Sequence, residues 1–380
     1  MLRSASALLL LLLLTACRPN APVETTPAAS VSDTAVLASA GDTLRRAAAL
    51  LEPDAPVDDT LRIRAVGDVM LGTNFPSERY LPPNDGAEML GGVADVLRDA
   101  DLTFANLEGP LTDATGNSGK CRAGSTTCYA FRTPTRYARY LADAGIDLAS
   151  LANNHAQDFG EAGRSATVRA IEPYGIRWSG RAGTFASLTA KGRRVAMIAY
   201  HVADHSNYLN DIPGAARTVA RLAQDHDIVI VSFHGGAEGG AVRVPYGPEL
   251  FLGENRGDLR RFAKAVVDAG ADLVIGHGPH VPRGVQVYQG RLIAYSLGNF
   301  ATYGRFNLDD ARGYAPILDV ELAPDGAFVS GRILSAKQIG DGIPVMDERG
   351  AAARLMARLS AQDFADSEAT MDEDGTIRLR

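Results

Sequence analysis

The chain has 380 residues, 46% of them hydrophobic, enough to bury one large core or two smaller ones. Its formal net charge is −7 and no basic cluster stands out, which argues against nucleic acid as a partner. A mildly acidic surface also repels polyanions, so an anionic ligand would need a local cation.

Arg3 precedes an unbroken leucine run, Leu8–Leu14, followed by Thr15-Ala16-Cys17. That run is too short for a permanent membrane span and reads as a secretory signal. Leu14-Thr15-Ala16-Cys17 resembles a bacterial lipobox, so residues 1–17 are expected to be a lipoprotein signal peptide with lipid added at Cys17. The protein would then be extracytoplasmic and membrane-anchored through that lipid. An ordinary cleaved signal with an incidental cysteine is the alternative. Residues 18–60 are rich in Ala, Pro, Thr, Ser and Asp and read as a flexible tether, with a short amphipathic helix at Val36–Leu51.

From Leu61 onward, strand-like runs alternate with helical periodicity. The strands are expected at Leu61–Gly67, Leu102–Ala105, Leu148–Leu151, Val195–Tyr200, Ile228–Phe233, Leu273–Gly276, Gly284–Tyr288 and Leu292–Leu297. Helices are expected at Ala87–Ala100, Thr135–Ala144, Gly160–Tyr174, Ala215–Gln224 and Leu259–Ala269. Such alternation predicts α/β layers. Pro316–Leu322 and Ala327–Ser335 flank Pro324-Asp325-Gly326 and predict a hairpin. Residues 341–380 are read as a closing helix at 347–360 and an acidic tail that frays after Ser367. Cys121 and Cys128 form a close pair in the loop Lys120–Tyr129. In an oxidising compartment this predicts a local disulfide, with two free thiols as the alternative.

Six of the apolar runs end in residues able to bind metal or move protons. Asp68 follows the first, Asn106 and Glu108 the second, and Asn153-Asn154-His155 the third. His234 ends the fourth, His277 and His280 follow the fifth, and Asn299 the sixth. Ligands of open α/β sheets gather beyond the carboxyl ends of strands, where side chains from separate strands converge. A mixed oxygen and nitrogen set of this kind suits a dinuclear metal hydrolase. His201 and His205 are expected at the rim of the same cleft.

The ordered set Gly67-Asp68-Val69-Met70-Leu71, Asn106-Leu107-Glu108, Phe131-Arg132-Thr133-Pro134, Leu151-Ala152-Asn153-Asn154-His155, Phe233-His234-Gly235-Gly236-Ala237-Glu238, Gly276-His277-Gly278-Pro279-His280-Val281 and Ser296-Leu297-Gly298-Asn299-Phe300 resembles the CapA-type poly-γ-glutamate capsule-synthesis proteins. These look like relatives of the calcineurin-like metallophosphoesterases. The resemblance covers residues 61–340 and implies a four-layer α/β/β/α sandwich in that span. It implies one or two divalent ions (Mn, Zn, Fe or Mg) on Asp68, Glu108, Asn154, His234, His277 and His280. His155 would be the proton donor, and Arg132, Asn299 and Glu238 would contact substrate. The wider superfamily has a histidine where Met70 stands, and separates its last two histidines by one residue rather than two.

Two functions follow from the resemblance. One is a metal-dependent hydrolase cutting a phosphoester or a γ-glutamyl amide or ester bond during capsule synthesis, export or attachment. The other is a non-catalytic accessory that binds an anionic extracellular polymer such as poly-γ-glutamate. Membrane-bound capsule synthase subunits are the implied protein partners.

Overall fold

Alternation of inward and outward side chains along the strands decides the architecture. The computed structural model describes residues 59–121 and 128–380. The signal segment with Cys17, residues 18–58 of the tether and the helix expected at Val36–Leu51 lie outside them.

Two mixed sheets face each other. In the first, the parallel strands Leu61–Met70, Leu102–Leu107, Leu148–Ser150 and Arg177–Ser179 lie in that order. The antiparallel hairpin Ile317–Leu322 and Phe328–Leu334 extends the sheet beyond Leu61–Met70, and Asn299–Thr302 pairs with that strand's carboxyl half. In the second, Arg193–His201, Ile228–His234, Leu273–His277 and Arg291–Ala294 run parallel. Leu61, Ile63, Ala65, Phe104 and Leu148 of the first sheet pack against Val195, Met197, Ile230, Leu273 and Ile275 of the second.

The opposite faces of both sheets are covered by helices. Val66, Ala105 and Ala149 meet Leu97, Leu141 and Ile171 outside the first sheet. Ile198, Val229, Val231 and Val274 meet Val219, Leu222, Phe262 and Val266 outside the second. The result is an α/β/β/α sandwich. Each fully buried Leu, Ile or Phe contributes about 1.5–3 kcal/mol, so a strand cannot slip by one residue without losing a whole apolar row.

Helix ends follow local chemistry. Asp211 accepts from the Gly214 amide at 3.0 Å to start Ile212–Asp225, and Asp258 accepts from the Arg261 amide at 3.1 Å to start Leu259–Asp268. The helix expected over Ala87–Ala100 is α-helical only at Ala94–Arg98. Gly91 and Gly92 interrupt it, each unfavourable by about 1 kcal/mol relative to alanine in a helix interior.

The acidic tail does not fray. Ala369–Met371 and Thr376–Leu379 form a hairpin that joins the first sheet beside Phe328–Leu334. Ala369 and Ile377 bury into the inter-sheet core with Ala353 and Met356 of the helix Ala351–Asp363, and that apolar anchorage outweighs the exposed charges.

One irregularity aims the site. Leu61, Ile63 and Ala65 face inward, so strict alternation would put Gly67 inward and Asp68 out among the helices. The register instead shifts between Val66 and Asp68, so Asp68 pairs with Asn106, while Val69 joins the outer core. Gly67 takes up the extra residue where the chain nearly touches a neighbour. A Cβ there would lie 2.0 Å from the Gly298 carbonyl oxygen, the same oxygen that accepts from the Asp68 amide at 2.8 Å. Gly67→Ala should therefore cost roughly 2–4 kcal/mol, by overpacking and loss of the bulge. A thermal melt within a degree of the wild type would show that the bulge tolerates a side chain.

Candidate metal centre

Beyond the bulge, side chains from both sheets enter the space between their carboxyl ends. Asp68 and Glu108 are fully buried, as are His234 and His277. Ligand atoms of Asp68, Glu108 and His234 all lie within 4.8 Å of one another. His280 Nδ1 stands 2.9 Å from Asp68 Oδ2, and its Nε2 is 3.7 Å from Glu108 Oε1. His277 Nδ1 is 3.7 Å from Asp68 Oδ1, and His234 Nε2 is 4.0 Å from Glu108 Oε1. His280 sits past the strand end with a φ of 59°, a left-handed conformation uncommon for a histidine and typical of functional loops.

The neighbouring amides hold this cluster in place. Asn106 Nδ2 donates to Asp68 Oδ1 at 2.8 Å, and Asn153 Nδ2 donates to the Leu107 carbonyl at 2.9 Å. Among the described residues, several buried atoms still lack a hydrogen-bond partner: both Glu108 oxygens, His234 Nε2, both His277 ring nitrogens, Asn154 Oδ1 and Asn299 Oδ1. The Glu108 carboxylate and the His234 imidazole, left bare beside Asp68, fit a divalent cation, which takes such donors together.

Electrostatics agree with that fit. Burial raises the cost of the Asp68 charge, but the bond from His280 and the nearby His277 and Asn106 hold its carboxyl below the ordinary value. Burial, then the Asp68 charge, pushes Glu108 well above its ordinary value. Burial, with His201 and Arg256 close by, keeps the His234 ring neutral. Burial also brings His277 down to about 4, against the pull of Asp68. His280 is the exception: burial disfavours its charge, yet Glu108 and Asp68 push it up to about 10. Without an ion, the imidazolium of His280 is the local cation.

A second group adjoins the first. His155 Nδ1 lies 2.7 Å from Asp158 Oδ2, and Lys120 Nζ is 2.7 Å from Asp158 Oδ1. The His155 ring packs 4.2 Å from the Phe131 ring, centroid to centroid. Burial lowers the pKa of His155, opposed by Asp158.

The remaining expected residues fall in different places. Arg132 donates to Asn74 Oδ1 and to the carbonyls of Ala114 and Gly116, so most of its guanidinium fastens a loop. Glu238 lies 3.3 Å from Arg256 Nη2. Asn299 donates to the Arg312 carbonyl at 3.2 Å and pairs in register with Asp68. Cys121 and Cys128 have Cα atoms 5.6 Å apart, a span that a disulfide fits. Sequence reasoning gave no role to Lys120 or Asp158. The three-residue step from His155 to Asp158 is a turn spacing that could have flagged the aspartate, whereas nothing in the sequence links Lys120 to either.

Residues 62–303 match the family of the bacterial capsule synthesis protein PGA_cap. The chain belongs to that family. It is 25% identical over 260 residues to the PGA biosynthesis protein CapA of Bacillus subtilis, covering 64% of this chain and 63% of that protein. It is 28% identical over 264 residues to the capsule biosynthesis protein CapA of Bacillus anthracis, covering 64% and 60%. The match thus spans less than two thirds of these relatives' own lengths. Among solved structures, a putative 5′-nucleotidase from Staphylococcus aureus in complex with α-ketoglutarate aligns with a TM-score of 0.42 at 14% identity, over 79% of this chain and 58% of that one.

The charged His280 of this PGA_cap-family chain gives a pH signature. Its folded pKa is raised from 6.5 to about 10, so its stabilising contribution is complete below about 6.5 and is lost as pH rises through about 10. In chelator-treated protein, ¹⁵N-histidine NMR should show both nitrogens of His280 protonated at pH 8. A neutral ring at that pH contradicts the ion-paired geometry.

Proposed function

We propose that this chain is a lipid-anchored, extracytoplasmic protein of poly-γ-glutamate capsule synthesis, export or attachment, with a metal-dependent hydrolase-like site. The observation that carries the reading is the cluster of Asp68, Glu108 and His234 ligand atoms within 4.8 Å of one another, with both Glu108 oxygens and His234 Nε2 bare among the described residues. Each buried polar group left unsatisfied costs about 1–3 kcal/mol, and packing alone gives no reason to gather them. Asp68, Glu108, Asn154, His234, His277 and His280 would hold one or two divalent ions. A bound ion would supply Lewis acidity, polarising a carbonyl or phosphoryl oxygen.

The chain's own groups supply orientation and proton transfer. His155 Nδ1 is engaged by Asp158 Oδ2 at 2.7 Å and Lys120 Nζ at 3.1 Å, which leaves Nε2 as the working nitrogen, able to carry a proton to a leaving group. Lys120 holds the far oxygen of Asp158, and Phe131 fixes the ring plane. Substrate and bond are read from the family: a γ-glutamyl polymer or its linkage, with membrane-bound synthase subunits as partners. A second reading, a non-catalytic polymer-binding accessory, is favoured by Met70, a buried thioether where the superfamily has a histidine.

Metal analysis and turnover on γ-glutamyl oligomers and phosphoesters separate the two. His234→Ala should lose bound metal, while His155→Gln should keep it and slow turnover by roughly 10²–10⁴-fold, the usual contribution of a general acid. A wild type that holds metal but turns over no substrate supports the accessory role. Loss of metal in His155→Gln would make that ring a ligand.

The anchor and the bridge rest on the lipobox and on the cysteine spacing. Cys17→Ser should move the protein from the membrane to the soluble extracytoplasmic fraction. That soluble protein, unreduced, should show no labelled thiol, because Cys121 and Cys128 are bridged. Retention on salt-washed membranes defeats the single anchor, and stoichiometric labelling defeats the bridge.

A further inference from the structure

His201 was expected at the rim, but it is buried on the strand beside His234. His201 pairs in register with His234, and His234 with His277, so three histidines stand abreast across adjacent strands of the second sheet. All three follow residues that face the inter-sheet core (Ala199, Ile230, Ile275), at strand positions of matching parity. The rings of His201 and His234 meet edge to face with centroids 5.5 Å apart.

The tautomer of the first of these histidines is set by the backbone itself. The backbone amide of Ala203 donates to His201 Nδ1 at 3.2 Å. A backbone N–H can only donate, so Nδ1 is an acceptor and carries no hydrogen. The neutral ring must then carry its proton on Nε2, and that nitrogen is buried with no hydrogen-bond partner among the described residues. A protonated nitrogen cannot ligate a metal. It needs an acceptor. The bare atoms of Glu108, His277, Asn154 and Asn299 include acceptors for a cation, whereas His201 presents a donor. Arg256, also buried, leaves Nη2 without a hydrogen bond and lies 3.3 Å from Glu238 by charge contact. Its charge acts on both His201 and His234.

We propose that His201 Nε2–H is a binding residue for an anionic oxygen of the ligand, a carboxylate or phosphate oxygen held beside the metal-ligating group. The role rests on the reading of the neighbouring cluster as a metal site and adds the side of the ligand that faces away from the ion. A metal-coordinated ligand that also carries an oxyanion meets an acceptor-rich wall through the cation and a donor wall through His201. A ligand with no acceptor oxygen at that point would leave the His201 donor buried and unpaired, and the nearby Arg256 charge favours an anionic acceptor over a neutral one.

The test uses the full chain and two anions, inorganic phosphate and a short γ-glutamyl oligomer. Binding is followed by calorimetry with metal content measured on the same samples. His201→Phe keeps the ring volume and removes the donor; it should weaken binding on the order of tenfold with metal content unchanged. His201→Gln, whose amide can donate, should stay closer to the wild type. A loss confined to the oligomer assigns a carboxylate, and a loss confined to phosphate assigns a phosphoryl oxygen. Wild-type affinity for both anions in His201→Phe overturns the proposal, as does failure of the wild type to bind either. Loss of metal in His201→Phe also overturns it, by making the ring a ligand. If the wild type holds no metal yet His201→Phe still loses the anion, the metal reading fails and the donor stands. Should the variants not fold, ¹⁵N-histidine NMR of the wild type decides. His201 must appear as the neutral Nε2–H tautomer at pH 7, and an Nδ1–H or charged ring overturns the assignment.

Discussion

Two carboxylates, Asp68 and Glu108, are buried within reach of each other between the two sheets, and like charges so placed repel strongly in a medium poorer than water. Isolated buried charge is among the most costly arrangements a fold can contain, so the surrounding structure has to supply a counter-charge. His280 does so in the metal-free protein, bonding Asp68 at 2.9 Å and facing Glu108. This ion pair offsets the cost of the left-handed backbone that the histidine adopts. Gly278 has a φ of 116°, and a Cβ there would lie 2.4 Å from the Gly235 carbonyl oxygen, so the two site loops pack backbone on backbone.

Most of the layer order was legible in the chain. Apolar runs such as Ile228–Phe233 and Leu273–Gly276 announce buried parallel strands, and their terminal histidines fall where strand ends meet. Period-2 counting alone would have turned Asp68 away from the site, because the bulge at Gly67 depends on a carbonyl contributed by Gly298, over two hundred residues later. The tail was misread for a related reason. Its charges are visible locally, whereas the docking surface for Ala369 and Ile377 exists only after the sheets have packed. Lys120 reaches Asp158 across a fold contact that no periodicity encodes.

The site also divides by element type. Oxygen donors come from the first sheet and its loops: Asp68, Glu108, Asn154 and Asn299. Nitrogen donors come from the second: His234, His277 and His280, with His201 beside them as a hydrogen-bond donor. Neither sheet alone presents a complete ligand set, and the first alone would gather carboxylates with no cation among them. The apolar interface of Ile63, Phe104, Met197, Ile230 and Ile275 therefore has two consequences. It removes hydrophobic surface from water, and it forces unlike polar sets to face each other at one end.

Coupling follows from that division. Anything that bridges the oxygen set to the nitrogen set binds only when the two sheets are packed, so it stabilises the closed sandwich by mass action, in proportion to the logarithm of its concentration over its dissociation constant. The converse also holds. Mutations that loosen the inter-sheet core weaken ligand binding without touching a ligand, because they separate the halves of the site. Gly67 joins the two effects at one point. It lets the first strand approach Gly298 closely enough to turn Asp68 inward, and that turn delivers the buried charge that the histidines of the opposite sheet must answer.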